Sequence, residues 1–222
     1  DGSDGVSCFL FERSMQGFSS TELPKMGMHS CPLGELLFDD VFVPDENLIG
    51  RVGGAFSIAK KYLNIGRSVV AFSALGITEA AYDAAVKYAT EREQFGRKIA
   101  GFQLVQQMIA DSVIEVNSAR LMVLHAAWMI DQSDAKAARM EIAAIKVIAP
   151  RVACNVIDRA IQVHGGLGVS DDIPLAKMYG WQRAMRIFDE NQLSVDLLRV
   201  HVSPSQAAAF SKRWCRSSNW VS

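Results

Sequence analysis

Residues 105–130 read VQQMIADSVIEVNSARLMVLHAAWMI, and in them Val105, Ile109, Ser112, Val116, Ala119, Val123, Ala126 and Ile130 recur at alternating steps of four and three. Such steps place side chains on one stripe of an α-helix, so this seam of more than three heptads predicts a long helix packed along its length. Met108, Glu115, Met122 and Met129 fall on the other side, which predicts contacts on a second face. Upstream, residues 55–93 are alanine-rich with apolar residues at helical spacing, and Gly66 and Gly76 are small positions where another helix could approach. Downstream, Ile142, Ile145, Ala149, Val152 and Val156 mark a third helix over 135–163, which Pro150 is expected to kink. Pro174 is well placed to open a shorter fourth helix running to about Phe188. Four helices with long seams and short connections predict a mainly α fold, an antiparallel four-helix bundle.

A partial β-domain segment precedes this bundle. Residues 6–12 contain Cys-Phe-Leu-Phe, and residues 35–43 read ELLFDDVFV before Pro44, both strand-like. Two or three strands alone leave open edges and an unfinished apolar face, so another chain or a further segment is expected to complete the sheet. The expected organisation is a partial β-domain over 1–52, the helical bundle over 53–190, and a tail over 191–222 whose serine-rich, basic ending has no firm period and is expected to fray.

Half of the 222 residues are hydrophobic, enough for a sizeable core, and 23 basic against 24 acidic residues give a net charge of -1. That balance offers no reason to expect nucleic acid or an acidic membrane as partner. Cys8, Cys31, Cys154 and Cys215 are scattered, with no Cys-x-x-Cys pair and no histidines at metal spacing. They read as reduced thiols of an intracellular protein, and no metal site is expected. Neither an apolar run of the eighteen or more residues that a membrane span needs nor a signal peptide is visible, so no membrane span is expected.

Three stretches could carry chemistry. Between the third and fourth helices, Ile161 to Pro174 reads IQVHGGLGVSDDIP. Adjacent Gly165 and Gly166 allow positive φ and close approach of a ligand phosphate, and serve equally as a helix stop before a tight loop. His164 just before them is a donor to a ligand or a capping and packing residue. At the corner of the first two helices, Arg92-Glu-Gln-Phe-Gly-Arg-Lys offers Arg92 and Arg97 to a phosphate, or a solvated corner, with Gln103 one turn into the next helix. Asp189 and Glu190 follow Ile187-Phe188, where an apolar neighbourhood would raise a carboxylate pKa into a range useful for proton abstraction.

Taken in order, these pieces resemble the acyl-CoA dehydrogenase family. The resemblance is carried by Lys25-Met-Gly-Met-His-Ser ahead of Glu35-Leu-Leu-Phe-Asp-Asp-Val-Phe-Val-Pro, by Glu91-Arg-Glu-Gln-Phe-Gly-Arg, and by Gln162-Val-His-Gly-Gly-Leu-Gly-Val. It implies that the chain corresponds to roughly the second half of a family member, the end of a β-domain plus the C-terminal four-helix bundle. It also implies FAD as cofactor, with Arg92, Gln94, Phe95 and Gln103 contacting it, and with Gln162, Gly165 and Gly166 meeting the ADP portion of an FAD held mainly by a neighbouring subunit. Arg67 matches a family arginine near the substrate thioester. The count from Gln162 puts the catalytic base on Asp189, which most members replace with glutamate.

The activity implied is α,β-dehydrogenation of an acyl-CoA thioester, with a homodimer or homotetramer as assembly and an electron-transfer flavoprotein as electron acceptor. Localisation would be cytoplasmic in a bacterium, mitochondrial or peroxisomal in a eukaryote. Glu190 stands where the family has glycine, and Trp181 where an acidic residue is common. Two other readings remain open at this stage, a non-catalytic oligomerisation or partner subunit derived from the family and an acyl-CoA oxidase.

Overall fold

The computed structural model describes residues 5–187, and the chain divides into two compact units, Asp1–Gly66 and Arg67–Ser222. In the first unit, β1 (Phe18–Leu23) pairs antiparallel with β2 (Leu33–Phe38) in the register Phe18↔Phe38 to Leu23↔Leu33. The strand expected over 35–43 therefore starts two residues early and ends before Asp39-Asp40, where Asp40 takes a φ of 51°. Its partner was hidden by Ser-Ser-Thr-Glu, which has no apolar alternation to read. Residues 6–12 form no strand but a single bridge, Phe9 to Leu48, flanked by amide bonds from Leu10 to Asn47 and from Ile49 to Cys8. Phe11, Phe18 and Phe38 cluster with centroids 4.7 to 5.3 Å apart, while Leu33, Leu36 and Leu37 stay exposed. Among the described residues this sheet has two strands and no covered face.

The fold is mainly helical. α1 (Ala55–Glu91), α2 (Gln103–Gln132), α3 (Arg139–His164) and α4 (Leu175–Met185) follow one another through short connections. Alanine explains how closely α1 packs: Ala71, Ala74, Ala81, Ala85 and Ala89 are buried at helical steps, and a methyl group lets a neighbouring helix approach. Thr78 completes that stripe, its hydroxyl donating to the Ala74 carbonyl at 2.6 Å. α2 buries Ser112, Val116, Ala119, Val123 and Ala126, the middle of the predicted seam. α3 is the most enclosed element, and buried Pro150 lies inside it. By contrast a Cβ at Gly66 or Gly76 would meet nothing within 4 Å, so among the described residues no helix packs against those small positions.

Polar ties fix the helix pairs. Arg120 on α2 donates through Nε and Nη2 to Glu79 on α1 at 2.9 and 2.7 Å, and Arg159 on α3 grips Glu115 on α2. α1 and α2 each contain a window long and apolar enough, by length and composition, to cross a membrane, with 33% and 22% of it buried. Core helices pass the same test, and one face of each lines the core. The other face of α2 leaves Ile114, Leu121, Leu124 and Trp128 exposed.

Candidate cofactor and active site

α3 ends at His164, and the reason is the next residue: Gly165 takes φ 60° and ψ −135°, outside the helical region, and starts a 3₁₀ turn over Gly165–Val169. His164 is buried, its Nδ1 2.7 Å from the Ala160 carbonyl. A carbonyl only accepts, so Nδ1 carries the proton. The ring stacks on Tyr88 at 4.2 Å, so this histidine packs and caps. The three glycines differ. A Cβ at Gly168 would lie 2.4 Å from the Ile161 carbonyl oxygen, whereas at Gly165 or Gly166 it would meet nothing within 4 Å. Gly168 is thus demanded by the fold, while Gly165 and Gly166, with exposed Gln162 on the last turn of α3, present bare backbone outward.

The corner after α1 is a tight hairpin. β3 (Glu93–Gln94) pairs with β4 (Arg97–Lys98), and the two turn residues Phe95 and Gly96 both have positive φ, 54° and 79°. A two-residue turn of that kind matches the twist of its strands. Lys98 pairs with Glu93 at 2.8 Å and donates to the Glu91 carbonyl; the Lys98 ammonium holds the Glu93 carboxyl below the usual range. Arg97 lies 4.0 Å over the Phe102 ring, which commits it to the fold. Arg92, Gln94 and Gln103 are exposed, and Phe95 is 92% exposed at the tip. Apolar surface held out in a left-handed turn has no use in this chain's own core.

The Tyr88–His164 stack brings these two stretches together. It joins the end of α1 to the end of α3, and the apolar cluster beneath it takes in Ala89, Ile99, Phe102, Val163 and Leu175. Arg92, Gln94, Phe95 and Gln103 therefore share one end of the bundle with Gln162, Gly165 and Gly166. Polar, aromatic and bare-backbone groups there match what a dinucleotide offers: phosphate oxygens, ribose hydroxyls and a flat ring.

Arg67 lies elsewhere. It sits 21 residues before Tyr88 on α1, about 32 Å down the axis at 1.5 Å per residue. Arg67 is buried, and its Nε finds no hydrogen-bond partner. On α3, Lys146 lies 18 residues before His164, about 27 Å along that helix at 1.5 Å per residue. Lys146 is 2% exposed and donates to the Met185 carbonyl, the last residue of α4, at 2.9 Å. On the same helix, burial pushes the Cys154 thiol up in pKa, against the opposing pull of the Arg186 charge. Gln182 is fully buried with neither amide atom partnered, and Trp181 Nε1 is likewise unpartnered. Asp189 and Glu190 lie outside the described residues, so their surroundings do too.

Sequence reasoning missed Gly168, Lys146 and Gln182. Gly168 carries no signal of its own, since its contact with Ile161 appears only once the turn is closed. Lys146 had a readable signal: it continues the apolar register of Ile142 and Ile145 toward Ala149, where a charged residue is out of place. Gln182 had none, because helix α4 is short and mixed in composition.

Comparison with known proteins follows the same lines. The profile of the acyl-CoA dehydrogenase C-terminal domain matches residues 53–190. A probable acyl-CoA dehydrogenase FadE2 of Mycobacterium tuberculosis is 52% identical over 70% of this chain and 38% of its own length. Subunit CarC of the caffeyl-CoA reductase-Etf complex of Acetobacterium woodii is 36% identical over 85% of this chain and 49% of its own. The solved butyryl-CoA dehydrogenase of Megasphaera elsdenii superposes with a TM-score of 0.78 at 36% identity, over 89% of this chain and 53% of that one. The chain thus spans about half, or less, of the length of these relatives.

Proposed function

The chain belongs to the acyl-CoA dehydrogenase family, and from that premise we propose that it supplies the C-terminal bundle of an FAD-dependent acyl-CoA dehydrogenase. The observation that carries this reading is the convergence of the Arg92–Lys98 hairpin and the Gly165–Gly166 loop at one end of the bundle, over the Tyr88–His164 stack. Arg92, Gln94 and Gln103 would hold phosphate and ribose oxygens, Phe95 would lie against the dinucleotide, and Gln162 with the backbone of Gly165 and Gly166 would meet its ADP portion. When bound, FAD supplies the two-electron acceptor for the hydrogen leaving the acyl β-carbon.

The remaining work of this chain is proton abstraction and charge placement. Asp189 takes the acidic α-proton of the thioester; being one methylene shorter than glutamate, it depends on close substrate placement. Arg67 stands ready with an unpartnered buried Nε for the thioester region or the carboxylate. The acyl-CoA and the electron acceptor are further parts of the proposal, and the Etf complex of the CarC relative supports an electron-transfer flavoprotein. The uncovered sheet face and the apolar outer face of α2 support burial against further protein in a homodimer or homotetramer.

The test is spectroscopic. Native protein containing this chain should carry flavin absorbance that is bleached by an acyl-CoA under anaerobic conditions, and Asp189→Asn should abolish bleaching without loss of flavin. A colourless assembly that takes up no added FAD sinks the reading. Peroxide release as the main product of turnover in air would shift it to an oxidase.

A further inference from the structure

Tyr88 and His164 each stand beside one of the two backbone stretches assigned to the dinucleotide. His164 immediately precedes Gly165, and the Tyr88 carbonyl accepts the Arg92 amide at 2.8 Å, closing the last turn of α1. The Arg92 carbonyl in turn accepts the Ile99 amide at 2.9 Å, so both backbone groups of Arg92 are held while its side chain stays exposed. On the α3 side, His164 Nδ1 donates to the Ala160 carbonyl at 2.7 Å and the Gly165 amide donates to the Gln162 carbonyl. Each ring therefore belongs to a turn whose backbone is already fixed. The rings meet face to face, 4.2 Å between centroids and 24° from parallel. Buried neighbours on the two helices, Ala85, Ala89 and Ala160, are methyl-sized, so the two rings supply the bulk that separates the end of α1 from the end of α3. Filling a core asks only for volume, which aliphatic side chains provide as well; a stack of flat, tethered rings also sets a spacing.

We propose that Tyr88 and His164 are a positioning pair for dinucleotide binding: their stack sets the distance between the Arg92 hairpin and the bare backbone of Gly165 and Gly166, so that one ligand meets both. The inference rests on the FAD contacts proposed above for those residues. Neither ring needs to touch the ligand. Two sets of contacts on one ligand reinforce each other only when both can be engaged in the same geometry, and a site held in that geometry beforehand loses less on binding. Removing the stack therefore weakens FAD binding by uncoupling the hairpin from the glycine loop.

The test uses the assembly containing this chain, stripped of flavin and titrated with FAD, as wild type, Tyr88→Leu, Tyr88→Phe, Arg92→Gln and the double variant of Tyr88→Leu with Arg92→Gln. Tyr88→Leu should raise the FAD Kd about tenfold, whereas Tyr88→Phe, which keeps the ring, should stay within about twofold of wild type. Arg92→Gln should weaken binding about tenfold in the wild-type background and no more than about threefold beside Tyr88→Leu, a loss of coupling that destabilisation alone does not produce. In the flavin-free protein, amide exchange in peptides covering 92–99 and 162–168 should speed up in Tyr88→Leu while the middle of α2 keeps its protection. If Tyr88→Leu does not fold, His164→Gln, which keeps a donor for the Ala160 carbonyl and removes the ring, takes its place. An unchanged Kd or unchanged exchange in Tyr88→Leu, an equal loss in Tyr88→Phe, or the same Arg92→Gln penalty in both backgrounds overturns the inference and leaves the FAD contacts standing. A wild type that takes up no FAD, or an Arg92→Gln assembly that binds it like wild type, overturns the assigned contacts and this inference together.

Discussion

Arg159 and Glu115 meet fork to fork: Nη1 donates to Oε2 and Nη2 to Oε1, both at 3.0 Å, with the side chains 24% and 29% exposed. Two parallel charge-assisted bonds in a half-buried seam hold α2 and α3 in register more firmly than an exposed pair. Glu115→Gln should cost about 1–3 kcal/mol and lower Tm by about 2–4 °C per kcal/mol for a domain of this size. Glu79→Gln, at the more exposed Arg120 pair, should cost no more than about 1 kcal/mol. The hydrogen bond to Glu115 raises the Arg159 pKa above its ordinary value, so its contribution is fully present below the unfolded value and lost only as pH rises through the folded one. Thermal melts at about pH 7 and about pH 10 should therefore give the same Glu115→Gln difference.

The glycine loop separates stability from the proposed cofactor contact. Gly168→Ala forces a Cβ into the Ile161 carbonyl and should destabilise by about 1–3 kcal/mol or more. Gly166 has open space around it and no positive φ, so Gly166→Ala should leave Tm unchanged and weaken FAD uptake. Melting curves and flavin titration of the two variants check both halves.

The Glu93 carboxyl, held low by its hydrogen bond and charge contact with Lys98, should titrate below an isolated glutamate, and Lys98→Met should return it to the ordinary range. Because the folded value is lowered, the tie across the hairpin is present above the unfolded value and lost as pH falls through the folded one. NMR titration of the side-chain carboxyl reads this directly.

Cys154 is buried with a raised pKa, whereas Cys8 and Cys31 are exposed. Thiolate is the reactive form. Iodoacetamide at about pH 8 should therefore label Cys8 and Cys31 in the native protein and reach Cys154 only in denaturant. Peptide mass mapping gives the answer residue by residue.

The helical half of the fold was readable because its signal is periodic: Val116, Ala119, Val123 and Ala126 were named by spacing and are buried. Helix ends announced by a proline or glycine, such as Pro174 and Gly165, fell within a residue or two. β1 was invisible because Ser19, Ser20, Thr21 and Glu22 lie on a sheet with no covered face, so burial imposes no pattern on them. At the candidate site, spacing and resemblance named Arg92, Phe95 and the paired glycines, but not that the Tyr88–His164 stack gathers them. Gly168 and Lys146 escaped because their roles lie in contacts 7 and 39 residues away along the chain.

Arg67 and the Tyr88–His164 stack stand about 32 Å apart along α1. On the proposed assignments, a defect at the glycine end touches cofactor uptake and a defect at Arg67 touches the thioester, so the two variants would fail at separable steps.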